Sequence, residues 1–174
     1  MQWFENYAYK KADMVTSTLS NALEHMAQHG LDPKKFQYIP NGVSLEEMGK
    51  IEPLDKATEA LIPQNKFIVG YVGTVGFANH LEVLVDVAEI LQHQENIAIV
   101  LTGDGKDKDR LYKRKIARNL TNLVFIGPIE KNQVQSILKK ADVCYIGGQD
   151  KDIYKFGVSP NKLYDYMFAA KPVL

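Results

Sequence analysis

The stretch SPNKLYD near the end of the chain combines residue types that bind phosphates and hydroxyl groups. Ser159 is a favoured N-cap, and Pro160 suits the first helical position because its missing N–H would be unpaired there. The amides of Asn161 and Lys162 then face the strand end before the helix, and Lys162 adds a positive charge. Asp165 lies on the same helical face, where its carboxylate suits a diol. This order fits a phosphate followed by a ribose, or else an ordinary capped helix with a surface ion pair.

Three further loops follow predicted strands and contain residues that let backbone amides approach a ligand. In GYVGTVGFANH, Gly73 and Gly76 precede a helix, and their spacing suits either a phosphate or a tight turn. In TGDGKDKD, Gly103 lies in a second glycine turn. In FIGPIEKN, the backbone groups around Gly127 and Ile129 are candidates to read the edge of a nucleobase. None of these loops is diagnostic by itself, because each composition also suits a simple turn.

Other reactive residue types give weaker signals. The single cysteine, Cys144, lies in the apolar run DVCYIG and is interpreted as a small core residue rather than a nucleophile. His25 and His29 are four residues apart on a predicted helix, but a third ligand is not evident, which favours a solvated face over a metal site. We therefore expect neither a catalytic thiol nor a metal centre.

The spacing of apolar residues predicts the elements that position the four loops. The runs KFIVGYVG, IAIVLTGDG, NLVFIGPIE and DVCYIGG alternate with helical patterns such as HLEVLVDVAEILQHQ. Near-continuous apolar strands separated by helices indicate an α/β fold, a Rossmann-like parallel sheet with helices on both faces. Ligands bind such sheets beyond the carboxyl ends of the strands, which is where all four loops are expected.

The first part of the chain shows the same alternation in shorter form. It predicts the strands MVTSTL and FQYIP, which are too few for a doubly wound sheet of their own. We therefore interpret residues 1–62 as the end of an N-terminal Rossmann-like domain with a linker, and residues 63–174 as a nucleotide-binding domain. The linker is the mixed-charge, proline-containing stretch VSLEEMGKIEPLDKATEALIPQN.

Composition limits the classes of partner and location. The 174 residues are 45% hydrophobic, enough for a sizeable core, and 21 basic residues balance 21 acidic ones. The chain therefore lacks the basic field that holds nucleic acid, and no nucleic-acid partner is expected. The sequence shows neither an apolar signal-peptide core nor a run of about 18 apolar residues, so we expect a cytoplasmic location.

With these motifs in order, the sequence resembles bacterial family 4 glycosyltransferases, retaining sugar-nucleotide enzymes of GT-B fold. ADMVTSTLS and FQYIPNGVSLEEM are similar to the end of the family's N-terminal domain. KFIVGYVGTVG and LTGDGKDKDRL are similar to its glycine elements, NLVFIGPIEKNQVQSILKKADVCYI to the stretch beside the base, and SPNKLYDYMFAAKPVL to its donor-binding signature. The resemblance covers essentially the whole chain in the family's order.

The resemblance implies an activity and a set of partners. The expected reaction transfers a hexosyl or N-acetylhexosaminyl group from a nucleotide-diphosphate sugar of UDP or GDP type to an acceptor hydroxyl, with retention. The acceptor would be a glycan or a lipid-linked glycan in polysaccharide or glycoconjugate biosynthesis. Enzymes of this fold generally need no metal, so no cofactor is expected.

The donor signature departs from the commonest family pattern at one position. Asp165 falls where the family has the second glutamate of E-x7-E, which binds ribose hydroxyls, and Gly157 stands in place of the first glutamate. This departure resembles a subgroup, including fucosamine-transferase-like enzymes, that begins the helix with P-x-K-L. The resemblance implies that Lys162 and the amides near Asn161 hold the diphosphate, with Ser159 as the cap.

The first glycine loop also departs from the family. Thr74, Val75 and Asn79 stand where many members have basic residues, and His80 is the only titratable neighbour. His80 is either a phosphate contact or a polar residue at the helix start. A neutral loop implies that the diphosphate depends on helix dipoles and on Lys162.

The family's length implies that the chain is truncated at both ends. The acceptor groove and most catalytic residues would then lie outside it, so catalytic residues stay unassigned and the isolated chain is expected to be inactive. Any peripheral association with the inner face of the membrane would come through those regions. Two alternatives stay open: a non-catalytic nucleotide-sugar-binding module, including one half of a split transferase, and a sugar-nucleotide 2-epimerase of the same fold.

Overall fold

Parallel strands and helices alternate along the chain, as the apolar spacing predicts. The computed structural model describes residues 2–149 and 151–174. Their contacts divide them into a first unit, residues 2–42 and 151–161, and a second unit, residues 43–149 and 162–174. Each unit has its own parallel strands.

Among the described residues, the first unit contains two short strands and two α-helices. Its elements are α1 (Gln2–Lys11), β1 (Val15–Ser17), α2 (Ala22–Gln28) and β2 (Phe36–Tyr38). The two strands pair in parallel, with Val15 opposite Phe36. Residues 151–161 join this unit because the Asn21 amide donates to the Phe156 carbonyl at 3.0 Å, and the Phe156 ring packs against His25.

The second unit is built around a four-stranded parallel sheet with the order β5-β4-β3-β6. Its elements are α3 (Leu45–Met48), α4 (Lys56–Ala60), β3 (Phe67–Val72), α5 (Glu82–Ile90), β4 (Ile97–Thr102), α6 (Lys108–Ala117), β5 (Leu123–Ile126), α7 (Val134–Lys140), β6 (Val143–Cys144) and α8 (Asn161–Phe168). The predicted strand in DVCYIGG is only two residues long. The carboxyl ends of all four strands point to one edge because every pairing is parallel.

Apolar residues cover both faces of this sheet. Val85 and Leu111, from α5 and α6, pack in the core of one face. Ile137 and Tyr166, from α7 and α8, pack in the core of the other. The two-sided core confirms the predicted Rossmann-like arrangement, with a parallel sheet between two helical layers.

Cys144 lies in this core. It is fully buried, and burial raises the pKa of its thiol to about 11. A thiol with a raised pKa is rarely present as the reactive thiolate. The structure therefore confirms Cys144 as a core residue.

The predicted linker packs as part of the second unit. Leu54 and Ile62 are buried against the face that contains α7, and the Glu52 amide donates to the Asn132 carbonyl at 2.9 Å. Burial of these apolar side chains holds residues 43–62 in the second unit. The division between the two units therefore falls between residues 42 and 43. The boundary between 62 and 63 stays a prediction for the domains of the complete protein.

Ion pairs join the outer surfaces of α5 and α6. Asp86 accepts from Arg114 and Arg118, each at 2.7 Å, and Arg118 also donates to Glu89 at 2.8 Å. The hydrogen bond from Arg118 is the main reason that the pKa of Asp86 lies below its ordinary value. These contacts hold two helices of one face in register.

We expect these ion pairs to stabilise the second unit at neutral pH and to lose this effect in acid. A carboxylate whose pKa is lower in the folded chain stabilises the fold above its unfolded pKa, and this contribution is lost as the pH falls through the folded value. Asp86→Asn should therefore lower the free energy of unfolding at neutral pH by at most about 1 kcal/mol, since solvent screens a half-exposed group. Urea denaturation over a pH series tests this, and an equal loss in strong acid would contradict it.

Within residues 2–149 and 151–174, no helix has the length and apolar character needed to cross a membrane. The same residues contain no group of three or more His, Cys, Asp and Glu side chains placed to hold a metal ion. The expectation that the protein works without a metal stays a prediction.

Candidate functional site

A cleft of about 290 Å³ lies at the carboxyl ends of the strands in the second unit. It is lined by Val72, Gly73, Thr74, Thr102, Gly103, Asp104, Pro128, Ile129 and Val134. The loops after β3, β4 and β5 thus meet in one place. Of the residues predicted from the sequence, the cleft brings together Gly73, Gly103 and Ile129.

The first two glycine loops pack directly on each other. The Gly73 amide donates to the Thr102 carbonyl at 3.0 Å, and the Val75 amide donates to the Asp104 carbonyl at 2.8 Å. Gly103 has a φ of +135°, and a Cβ atom there would overlap the Gly73 carbonyl oxygen. Gly103 is therefore required by the close approach of the two loops, a role that its sequence context did not indicate.

Lys162 lies beside the first glycine loop. Its Nζ donates to the Tyr71 hydroxyl at 3.1 Å and to Asn79 Oδ1 at 2.5 Å, and it sits 4.7 Å from the centre of the Tyr71 ring. A Cβ atom built on Gly73 would lie 3.6 Å from Lys162 Cε. The structure thus brings the predicted cation to the predicted glycine loop.

The electrostatic surroundings of Lys162 are unusual for a lysine. Among the described residues, no ion pair includes Lys162. Burial lowers the pKa of its ammonium to about 8, because desolvation disfavours the charged form. A half-buried ammonium with only neutral acceptors has electrostatic capacity left for an anion.

Asp165 lies one helical turn after Lys162 on α8. Burial raises the pKa of its carboxyl group, and the charge of Lys131 offsets part of this effect. The Asp165 carbonyl accepts from the buried Gln135 side chain at 3.1 Å, which ties α8 to α7. Over the described part of the chain, no hydrogen bond to its carboxylate oxygens is present, so they are open to a hydroxyl donor.

The third loop offers two different environments. Ile129 lines the cleft with Pro128, whereas a Cβ atom at Gly127 would meet no atom within 4 Å. Thr102 forms part of the same cleft wall, and its buried hydroxyl has no hydrogen-bond partner among the described residues. The apolar surface near Ile129 suits a flat ring better than a charged group.

Two other predicted residues lie further along the first loop. Gly76 precedes a short 3₁₀ turn, Phe77–Asn79, and is not among the residues that line the cleft. His80 has a left-handed φ of +50°, and its Nε2 is 3.5 Å from Glu82 Oε1. A carboxylate neighbour already occupies one side of the imidazole, and a phosphate contact at His80 stays a prediction.

Ser159 and Asn161 belong to the first unit. The Ser159 carbonyl accepts from Asn41 Nδ2 at 2.9 Å, and α8 begins at Asn161, one residue after the predicted start. Gly157 has a φ of +112°, and a Cβ atom there would lie 3.2 Å from Ser20 Oγ. Residues with a side chain rarely adopt this backbone conformation, which gives a physical reason for glycine at this position.

Sequence reasoning missed the residues that surround Lys162. Tyr71 is fully buried, and its hydroxyl donates to the Thr74 carbonyl at 2.7 Å. A tyrosine within the buried run FIVGYV signals a polar group that must find a partner. Asn79 was noted only because it replaces a basic residue of the family.

Comparison with known proteins gives an independent view of this site. The model of the family described as glycosyl transferases group 1 matches residues 55–174. This range contains the second-unit sheet, the cleft and Lys162.

Individual relatives are similar over nearly the whole chain. An uncharacterised glycosyltransferase of Methanocaldococcus jannaschii is 26% identical over 172 residues, 95% of this chain and 41% of that protein. The putative colanic acid biosynthesis glycosyl transferase WcaI of Escherichia coli K12 is 25% identical over 165 residues, 92% of this chain and 39% of that protein. The chain therefore spans about two fifths of the curated relatives that it matches.

A solved structure shows the same fold. HepE of Anabaena, in complex with UDP and glucose, superposes with a TM-score of 0.73 at 16% identity and covers 99% of this chain and 46% of that one. The likeness shows the Rossmann-like architecture of GT-B glycosyltransferases. Since the family model matches well over half of the residues, the chain belongs to the glycosyl transferases group 1 family.

Proposed function

We propose that the second unit binds a nucleotide-diphosphate sugar of UDP or GDP type. The complete protein would transfer the sugar to an acceptor hydroxyl of a glycan or lipid-linked glycan, with retention. The observation that carries this proposal is the Lys162 ammonium, which lies beside Gly73 at the carboxyl ends of the strands. Its hydrogen-bond acceptors among the described residues are all neutral. A diphosphate supplies the negative charge that this position favours.

The neighbouring residues suggest how the ligand is oriented. The diphosphate would lie between Lys162 and the amides of the first glycine loop, and the Asp165 carboxylate would accept from ribose hydroxyls. The base would lie in the cleft against Ile129, which packs with Val134 on the apolar core of the face that contains α7. HepE was solved with UDP and glucose on the same fold, which supports a nucleotide ligand here.

Lys162 also has a role during the proposed reaction. When the bond between the sugar and the nucleotide breaks, negative charge grows on the departing diphosphate. An ammonium already held beside the diphosphate stabilises this charge without reorganisation of solvent. We propose that Lys162 and the helix dipole supply this stabilisation without a metal ion.

The catalytic residues stay unassigned. The matched relatives are much longer than this chain, which spans 41% and 39% of them. We propose that the 174-residue chain binds the donor without turnover. A lipid-linked acceptor would bring the complete protein to the inner face of the membrane.

Isothermal titration calorimetry of the 174-residue chain with UDP, GDP and ADP tests the donor site. We expect at least one nucleotide to bind at pH 7 and to bind about tenfold more weakly at pH 9. The pKa of Lys162 is about 8, so the ammonium is mostly charged at the lower pH and mostly neutral at the higher one. Nucleotide affinity would instead rise from pH 7 to pH 9 if binding depended on a deprotonated lysine.

The matching nucleosides are the control, since they lack the diphosphate but keep the base and the ribose. Their affinity should show no such dependence on Lys162 ionisation. If none of the three nucleotides binds to the folded chain at millimolar concentration, the donor site is ruled out. An affinity that is equal at the two pH values would remove Lys162 from the proposed contact.

One observation supports the second candidate, a non-catalytic nucleotide-sugar-binding module. The backbone at Gly157 disfavours the glutamate that many family members have there. Both candidates bind the nucleotide, so binding alone does not separate them. Release of labelled sugar to a glycan acceptor by the complete protein favours the transferase, and tight donor binding without transfer favours the module.

A further inference from the structure

Two side chains, those of Tyr71 and Asn79, contact the same backbone carbonyl and the same ammonium, and together they form a polar cluster beside the first glycine loop. The Thr74 carbonyl accepts from the Tyr71 hydroxyl at 2.7 Å and from Asn79 Nδ2 at 2.9 Å. Tyr71 and Asn79 in turn both accept from Lys162 Nζ. The cluster therefore connects β3, the first glycine loop and α8.

The shared carbonyl determines the direction of both side chains. Because the Tyr71 proton points to the Thr74 carbonyl, the phenol oxygen can only accept from Lys162. Because the Asn79 amino group points to the same carbonyl, its Oδ1 must face the ammonium. Neither group can rotate to donate toward Lys162 without losing its hydrogen bond to the Thr74 carbonyl.

Lys162 is held by this arrangement at a defined position. An ammonium has three N–H donors, and in the described part of the chain two of them are used by Tyr71 and Asn79. The Tyr71 ring contacts the ammonium as well, at 4.7 Å from the ring centre. A flexible side chain that would otherwise sample many rotamers is thus restricted before any ligand arrives.

We propose that Tyr71 and Asn79 are positioning residues, which hold the Lys162 ammonium beside Gly73 with one N–H that donates to no described residue and is available to a ligand oxygen. The inference rests on the diphosphate contact proposed for Lys162. It also explains how a loop without basic residues can serve that contact. Asn79 belongs to the first glycine loop and orients a cation that α8 supplies.

The test compares two substitutions of Asn79 by following the Lys162 titration with NMR of the 174-residue chain. In the described part of the chain, the titratable and charged groups on the surrounding elements include Tyr71 on β3, His80 beside Asn79, Glu82 with its partner Arg110, Tyr145 after β6, and Asp165 and Tyr166 on α8. Asn79→Asp replaces a neutral acceptor by a carboxylate, which should raise the pKa of Lys162 from about 8. Asn79→Leu removes an acceptor from the charged form and should lower it.

UDP affinity should fall about tenfold in both variants, because the cation is either paired with a carboxylate or no longer held. Uridine affinity should not change. The control is Asn96→Asp, which places the same charge just before β4, at the opposite end of the strands. It should change neither the Lys162 titration nor UDP binding.

Opposite shifts of the Lys162 titration in the two Asn79 variants support the positioning role, since general loosening of the loop would move both in one direction. Unchanged titrations, or shifts of the same sign, overturn it. The ligand-free titration also separates the two proposals. If UDP fails to bind while the titrations shift as expected, the donor site is wrong and the positioning of Lys162 stands.

Discussion

Lys162→Ala is expected to weaken UDP binding to the second unit by about 10- to 100-fold and to leave uridine binding unchanged. The reason is the loss of a charge-assisted hydrogen bond to the diphosphate, a contact of roughly 1.5–3 kcal/mol. The alanine also removes a half-buried positive charge that donates to the neutral groups of Tyr71 and Asn79. Calorimetry with the nucleotide and the nucleoside at the same pH measures both effects.

Lys66→Ala is the matched control for this experiment. Lys66 is exposed and directly precedes β3, at the opposite end of the strand from the cleft. The Lys66→Ala substitution removes the same charge from the same unit and should leave UDP affinity unchanged. An equal loss in both variants would point to a general electrostatic effect, and an equal loss for UDP and uridine in Lys162→Ala would contradict a phosphate contact.

Gly103→Ala is expected to lower the free energy of unfolding by about 3–5 kcal/mol. The residue has a φ of +135°, and an added Cβ atom would overlap the carbonyl oxygen of Gly73. The backbone must move, which would break the hydrogen bond from the Gly73 amide to the Thr102 carbonyl. Chemical denaturation monitored by circular dichroism gives the stability, and UDP titration shows whether the cleft is still formed.

Gly127→Ala provides the comparison, because it tests the same substitution in a neighbouring loop. A Cβ atom at Gly127 meets no atom within 4 Å. We expect its free energy of unfolding to stay within about 0.5 kcal/mol of the parent. If Gly103→Ala were as well tolerated as Gly127→Ala, the close packing of the two loops would be wrong.

Much of the fold follows from local pattern. Each strand of the second unit was predicted from a short apolar run, and its parallel pairing from the helices between the runs. The predicted strand near Cys144 is the weakest case, because only Val143 and Cys144 pair with β3. The packing of the linker did not follow from local pattern, since Leu54 and Ile62 are isolated apolar residues in a polar stretch and show no period.

The candidate site was predictable only in part. Gly73, Gly103, Ile129 and Lys162 were selected because they follow strands whose carboxyl ends share one edge. The pattern could not separate the roles of the glycines: Gly103 allows close loop packing, whereas Gly127 has open space around it. That difference depends on which atoms of another loop approach each Cα, and no local spacing encodes it.

The sequence by itself determined the α/β class, the edge of the sheet where ligands would bind, and the family, because these depend on residue types and on spacing within short segments. Only the tertiary structure decided that Tyr71 and Asn79 hold Lys162. Tyr71 and Lys162 are 91 positions apart in the chain, and Asn79 and Lys162 are 83 apart. They meet because the strands and α8 pack around one core, and the strength of each contact depends on burial that exists only after folding.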